Sequence, residues 1–403
     1  MNQKIENLIV VLDAGAASTR MVAAEVVDGA LRYRGHGIVE SAGMRKGLIG
    51  ELAPAAKAFR AAMDAAERST NSNIDSCVIG IGGPHIRGLN TCDGINLGAR
   101  LREITRDDVR NAVDRARAIE RPADREILHL LPRQFLLDGQ PGIYDPIGMV
   151  GAQLMVDLHI ATCSTSALQS IVTCANKAGI EVTEGVLESL AAAEATLTAD
   201  ERELGVCLLD VGAQSTEVVV FFEGAVVHTA SIPIGGQHFT TDLATGLSLG
   251  SITQAEELKK LYGNAVVTAI PQHAEIEILN PHPQTIRLRS VAEILEPRAC
   301  ELFYYIKESL RQGGVLEALG AGCVLTGGGS LLPGMLDVAE SQLRVHARGG
   351  LPVRLPGLPP ELVQPGLSVA VGMLLYTLRS RTTREAEDDS LRSKIRKFFG
   401  PTI

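Results

Sequence analysis

Tryptophan is absent from this chain and aromatic residues make up only 3% of it, so any core it builds is aliphatic. Long apolar runs are missing too. The longest nearly apolar stretch, Gly366–Leu378, falls short of the ~20 residues that a spanning helix needs. Positive charge is not in excess: a formal net charge of −9 leaves no prospect of a broad basic face, which argues against general nucleic-acid binding. The seven cysteines (Cys77, Cys92, Cys163, Cys174, Cys207, Cys300, Cys323) are odd in number and contain no CxxC pair. This pattern excludes a disulfide framework and a zinc site and fits reduced, mostly buried thiols in a cytosolic protein. Met1–Asn7 is polar, carries both charge signs and leads straight into a strand, so no signal peptide is expected.

What is present is a repeated hairpin. At 403 residues, 45% hydrophobic and 21% charged, the chain is long enough for two or more globular domains. Its organising stretch is Gly205–Gly224. An apolar run, Val206 to Leu209, ends in Asp210; a turn of small residues follows (Gly212, Ala213, Gln214, Ser215, Thr216), and then a second apolar run, Val218 to Phe222. This predicts a β-hairpin whose turn presents backbone N–H groups as an anion nest, with a carboxylate beside it able to hold a cation directly or through water. The same pattern opens the chain. Asp13, Gly15, Ala16, Ser18, Thr19 and Val22 match Asp210, Gly212, Ala213, Ser215, Thr216 and Val219 at one constant offset. Two copies of strand, phosphate turn and strand imply two similar half-domains facing a shared nucleotide cleft.

Between and after the hairpins the pattern is α/β. A third strand is expected over Leu31–Glu40, a helix over Glu51–Glu67 and a strand over Ser76–Ile81. Gly82-Gly83-Pro84 marks a boundary. The stretch to about His159 reads as a small inserted α+β domain, with a helix over Thr105–Ile119 capped by Thr105 and strands over Glu126–Leu137 and Gly151–Ile160. Helices are expected over Thr165–Lys177, Leu187–Thr196, from Phe239, Gln254–Tyr262 and Glu293–Arg311. Ala265–Arg289 is strand-rich but broken by prolines. Ala321–Ser330 reads as a strand running into three consecutive glycines, then a helix over Leu331–Leu343; such a turn lets backbone lie flat against a planar or phosphorylated ligand.

Taken together, the two turns, the insert, SIPIGG (231–236), EELKKLYG (256–263) and LTGGGS (325–330) resemble the actin-like ATPase superfamily. Within it, GMRKGLI (43–49), DREILHLLPRQFLLDGQPGIYDPIGM (124–149), LTADERELGV (197–206), HTASIPIGGQHFTTDLA (228–244), EILEPRACEL (293–302) and LTGGGSLLPG (325–334) are similar to the FtsA family of bacterial cell-division proteins, over essentially the whole chain. The fold so implied is a two-lobed actin-like α/β fold of the actin, Hsp70 and sugar-kinase type, with an inserted α+β subdomain and a C-terminal amphipathic helix. It divides the chain into a lobe 1 core (1–83, 163–197 and 359–378), an inserted subdomain (84–162), a lobe 2 core (198–228 and 301–358) and a small subdomain of lobe 2 (229–300). A linker (379–390) and the terminal helix (391–403) follow.

The resemblance implies ATP and Mg²⁺ in the cleft and at most a slow ATPase. Gly15, Ala16, Ala17 and Ser18 with Gly212, Ala213, Gln214 and Ser215 would cradle the phosphates, and Asp13 and Asp210 would stand near Mg²⁺. Gly235 and Gly236 would lie at the sugar–phosphate side, Glu256 and Lys259 would reach the ribose and adenine, and Gly327, Gly328 and Gly329 would back the adenosine. Glu188, with Asp210 beside it, would orient the attacking water. By residue type alone Glu188 is equally a solvated helix carboxylate, and Glu256 with Lys259 an exposed pair at i, i+3. The chain departs from the family's usual Thr-Ser-Lys first turn and Gly-rich second turn ending in Thr-Thr-Asp. It has Ala16-Ala17-Ser18 and Ala213-Gln214-Ser215-Thr216-Glu217. Ala and Gln tolerate φ > 0 poorly, so a tighter or shallower nest and slow hydrolysis are expected.

The end of the sequence adds a separate signal. After the charged stretch Arg379–Ser390, a helix would put Leu391, Ile395, Phe398 and Phe399 on one side and Arg392, Arg396 and Lys397 away from it. That arrangement suits an anchor on an anionic membrane surface, or a groove on a partner protein. The resemblance favours the membrane. It also implies homopolymers, other division proteins as partners, a peripheral position on the cytoplasmic face of the inner membrane at the division site, and docking of the tubulin-like FtsZ tail near Arg298 and Glu301. Alternatives of the same fold are a soluble small-molecule or sugar kinase and a pilus-assembly adaptor.

Overall fold

The computed structural model describes residues 7–45, 47–98, 100–118, 122–280 and 282–382. Two five-stranded sheets built on one plan dominate it. In the first, Leu8–Ala14, Ser18–Val27 and Ala30–Glu40 form an antiparallel meander; Ser76–Ile81 and Glu181–Leu187 then add in parallel on the far side of Leu8–Ala14. In the second, Val206–Val211, Thr216–Phe222 and Ala225–Ile232 form the meander, and Cys323–Thr326 and Ala347–Gly349 add in parallel. The central strand of each sheet is buried along nearly its whole length, which is why both read as unbroken aliphatic runs rather than alternating ones.

A short helix, Glu188–Thr196, lies between the sheets with alanines on nearly every face. Ala191 abuts Gly372 of the helical segment 368–382 so closely that a Cβ at Gly372 would fall 1.6 Å from the Ala191 carbonyl oxygen. Small residues permit this approach, and the approach fixes Glu188, the helix's first residue, at the mouth of the inter-sheet space. The 368–382 helix runs into the stretch expected to be linker from 379; residues 383–390 and the amphipathic stretch with Leu391, Ile395, Phe398 and Phe399 lie outside the described residues.

The insert is a separate layer with its own core around Ile104, Ala112, Phe135, Leu154 and Val156. Its helix, Arg106–Arg117, is capped by Thr105, as its sequence predicts, and the cap is a reciprocal box with Asp108. Its sheet has the order Gln140–Ile143, Arg125–Leu137, Gln153–Ser164, Arg87–Asn96. The last strand packs on lobe 2: the Asn90 amide donates to the Val227 carbonyl at 3.1 Å, and His159 bridges Asn90 (2.6 Å) and Thr229 (3.0 Å).

Several elements depart from expectation. Residues 229–232 belong to the lobe 2 sheet, in the strand Ala225–Ile232. The division at 300/301 falls inside one continuous helix, Leu288–Gln312. The helix after the glycine turn begins at Met335, because Pro333 and Gly334 (φ 84°) interrupt it; Gly328–Leu331 forms a 3₁₀ turn instead. Glu275–Asn280 and His282–Arg287 pair as an isolated two-stranded sheet that accommodates Pro283.

Candidate functional site

Both phosphate-type turns, the LTGGGS turn and Glu188 open on one cavity of about 860 Å³ between the lobes. Of the residues singled out in sequence, Asp13, Gly15, Ala16, Ala17, Glu188, Asp210, Gly212, Ala213, Gln214, Ser215, Gly236, Glu256, Lys259 and Gly327 to Gly329 border it. Ser18 and Gly235 do not. Ser18 begins a strand and pairs with Glu40. Gly235 lies behind the second turn, where a Cβ would meet backbone atoms of residues 212–214 at 2.6–2.8 Å.

The turns solve one geometric problem twice. A Cβ on Gly15 would stand 3.0 Å from the Ser18 carbonyl oxygen, and one on Gly212 3.0 Å from that of Ser215. Neither glycine needs a left-handed backbone, and none of Ala16, Ala17, Ala213 and Gln214 has positive φ. The substitutions that the sequence flagged as a threat to the nest therefore impose no backbone strain. Each turn is held from its third-strand side. The Ser41 hydroxyl donates to the Gly15 carbonyl (2.6 Å) and the Ser41 N–H to Ala17 (3.0 Å). In lobe 2 the N–H groups of Gly236 and Gln237 donate to Gly212 and Ala213 at 2.9 and 2.7 Å.

The floor of the cavity is acidic. Asp13 is ion-paired with Arg20 at 2.7 Å, directly across the strand pair. Asp210 faces Glu217 in the corresponding pair. Burial, then the charges of Asp13 and Glu217, push the Asp210 carboxyl up to about 7, against the pull of Arg20. Glu188 is half-buried at the cavity wall, and burial followed by Asp13, Glu217 and Asp210 raises its carboxyl well above its usual value. It is not the solvated helix residue that its type permits. Its carboxyl lies against the end of the Ser76–Ile81 strand, where a Cβ on Gly82 would stand 2.0 Å from Oε2. Asp210 is accommodated likewise by Gly327 (φ 82°), whose Cβ would meet Oδ1 at 2.2 Å.

At the other end, Lys259 gives its three donors to Gly236 O (2.8 Å), Thr240 Oγ1 (2.8 Å) and Glu256 Oε2 (2.7 Å). Burial lowers the Lys259 ammonium. Burial would raise Glu256, but hydrogen bonds from Lys259 and Thr240 with the charges of Lys259 and Lys260 hold it low. This pair is therefore part of the wall and not a solvated i, i+3 contact. Arg298 is likewise engaged, forked onto Asp242 at 2.6 and 3.0 Å and bonded to Glu301.

Sequence reasoning missed four residues here. Arg20 carried no turn signal, and Ser41 sits beyond the third strand. Glu217, named only as a departure, is buried and crosses the lobes: its Oε1 accepts from Gly83 N–H (3.0 Å), Ser215 (3.0 Å) and Ser231 (2.8 Å). Its Oε2 is buried with no partner among the described residues. Burial raises this carboxyl despite those bonds. His85 borders the same cavity with both ring nitrogens buried and without a partner among the described residues, and burial, then Arg125 and Arg87, lower it to about 4.

Comparison with known proteins agrees with this architecture. Residues 83–162 match the model described as the SHS2 domain inserted in FTSA, and residues 207–372 the model for cell division protein FtsA. Among solved structures, the PilM-PilN type IV pilus biogenesis complex is similar at a TM-score of 0.66 and 18% identity, covering 93% of this chain and 99% of that one. MreB5 of Spiroplasma citri bound to AMPPNP is similar at a TM-score of 0.56 and 12% identity, covering 95% and 99%. These likenesses establish the actin-like fold. The FtsA of Pseudomonas aeruginosa is 37% identical over 380 residues, 93% of this chain and 90% of that protein. That of Borreliella burgdorferi is 33% identical over 406 residues, 98% of each. With whole-length identity at this level and both family models matched in order, the chain belongs to the FtsA family of cell-division proteins.

Proposed function

We propose that the chain is an ATP-binding, polymer-forming scaffold that holds FtsZ filaments on the inner face of the cytoplasmic membrane during septum formation. The observation that carries the nucleotide reading is the single cavity onto which both glycine turns and the three-glycine turn open. Its turns are suited to take phosphate oxygens on backbone N–H groups, and the flat Gly327–Gly329 ridge to take the adenosine. ATP binding would close the cleft and favour the polymer-competent state.

Mg²⁺ fits this floor as a hydrated ion. Among the described residues no three His, Cys, Asp or Glu side chains stand close enough to ligate one metal together. Asp13 and Asp210 would hold such an ion through its waters, as Mg²⁺ commonly retains several. The unpartnered Oε2 of Glu217 is a further acceptor for water on the same wall. When bound, Mg²⁺ offsets phosphate charge. Glu188, its carboxyl raised by burial and the neighbouring acids, stands at the cavity wall where it would orient water. Phosphoryl transfer asks little of a base and much of positioning, which fits a slow hydrolysis acting as a switch.

Among the described residues no helix is long and apolar enough to cross a membrane, so attachment would fall to the amphipathic stretch 391–403. The FtsZ tail would dock around the helix carrying Arg298 and Glu301, where Tyr304 and Tyr305 are exposed. Co-sedimentation with anionic vesicles, with and without Mg-ATP, tests the scaffold reading on the full chain and on a chain ending at Ser390. The expected result is that only the full chain pellets and that ATP increases it. Both versions remaining in solution would overturn membrane attachment.

A further inference from the structure

The first turn, Gly15–Ser18, offers a ligand no charged side chain, and the cavity's cations are unequally free to serve one. Among the described residues that line it these are Arg20, Lys259 and Lys260. Lys259 has its three donors committed to the wall, and both lysines are paired with Glu256, at 2.7 and 3.3 Å. Arg20 differs. Its Nη1 reaches Asp13, its side chain is 21% exposed, and among the described residues Asp13 is its one hydrogen-bond partner. A guanidinium has five N–H donors, so most of its fork is available. It also lies where the ligand's charge would be: a Cβ on Gly15 would stand 3.5 Å from Nη1, and one on Gly366 3.8 Å from Nη2.

We propose that Arg20 meets the terminal phosphate of a bound nucleoside triphosphate, so that this second-strand arginine, and not the turn, makes the site distinguish ATP from ADP. This rests on the nucleotide reading above. Four buried or half-buried acids, Asp13, Glu188, Asp210 and Glu217, gather at this end of the cavity, and a third phosphate brings further negative charge towards them. Arg20 is the cation that offsets the acids, lowering both Glu188 and Asp210. A planar fork can keep one arm on a carboxylate and turn the other to a phosphate, which a compact ammonium does less well.

The test is fluorescence titration of the full chain with ATP and ADP analogues bearing one fluorophore, in EDTA so that metal plays no part. Arg20→Met should weaken ATP about tenfold or more and ADP far less, the loss expected for a charge-assisted hydrogen bond. Arg20→Lys should fall between Arg20→Met and the unaltered chain. Thermal melting reports folding, and Arg20→Gln, which can still bond Asp13, serves if the methionine variant does not fold. Equal losses for ATP and ADP overturn the proposal. So does recovery of ATP affinity in Arg20→Met with Asp13→Asn, because Arg20 would then act only by neutralising Asp13. An unaltered chain that binds neither analogue overturns the nucleotide site itself, a result distinct from either.

Discussion

Lobe 1 and lobe 2 share a strand order, a turn glycine with the same 3.0 Å constraint, and an aspartate at the end of the central strand. They differ in what stands opposite that aspartate: Arg20 faces Asp13, whereas Glu217 faces Asp210. Directly opposed side chains on one face of an antiparallel pair interact strongly, so an unlike pair settles its aspartate and a like pair unsettles it. The duplicated frame thus supplies two matched turns, and the change of sign at one position makes their surroundings unlike. Lobe 1 sets a cation against its aspartate. Lobe 2 sets two raised carboxyls against each other and latches to lobe 1 through Gly83.

The largest effect should come where each lobe makes room for its buried acid. Gly82 admits Glu188 and Gly327 admits Asp210, but the obstacles differ. A Cβ on Gly82 meets only the Glu188 side chain, its carboxyl most closely, with φ outside the left-handed region. A Cβ on Gly327 meets Asp210 Oδ1 at 2.2 Å and the Val211 carbonyl oxygen at 2.5 Å, at φ 82°. Gly327→Ala should therefore cost about 3 kcal/mol or more in chemical denaturation, the sum of left-handed strain and overpacking. Gly82→Ala should cost clearly less. Equal costs would mean that the lobes are packed alike at this point.

A second experiment removes the asymmetry of charge. Asp210, raised to about 7, contributes stability that is fully present below the unfolded carboxylate range and is lost as pH rises through the folded value. Glu188, also raised, acts in the same direction. Glu217→Gln retains an acceptor for Gly83, Ser215 and Ser231 and deletes one of the charges raising both neighbours. Melting profiles between pH 5 and pH 8 should then fall less steeply than those of the unaltered chain, by about 1 kcal/mol or more, the worth of one pKa unit. An unchanged slope would separate Glu217 from the other acids.

The sequence made the frame legible because its signals are local. An aspartate, a glycine and a hydroxyl at fixed spacing announce a turn wherever they fold, and Thr105 announces a helix start. It did not disclose Glu181–Leu187, a strand whose glycine and glutamates dilute its apolar pattern, or Arg87–Asn96. The latter has glycines where neighbours press closest: Gly88 against Thr229 and Gly94 against the Leu154 carbonyl. The site was half legible for the same reason. Both aspartates and the turn residues were evident, whereas Arg20, Ser41 and Glu217 act through partners on other strands. The departures Ala16, Ala17, Ala213 and Gln214 promised strain that negative φ values remove.

The finest comparison is between the turn glycines themselves, where the lobes come closest to identity. Gly15→Ala and Gly212→Ala each place a methyl 3.0 Å from a carbonyl oxygen three residues ahead, without a left-handed backbone at either site. That contact is tight enough to force a small shift, and a modest overpacking of this kind costs about 1 kcal/mol. The supports are different: a serine hydroxyl steadies the Gly15 carbonyl, and a backbone N–H steadies that of Gly212. A hydroxyl can swing with the turn, but Gly236 begins a helix that cannot easily follow. Gly212→Ala should therefore be the costlier of the two, by a few tenths of a kcal/mol in paired urea titrations. In nucleotide titrations both should weaken ATP, because each displaces a donor array. Should Gly15→Ala prove the worse, the rigid partner of the pair is the serine-braced turn of lobe 1, and the Arg20 wall beside it is the more preorganised half of the site.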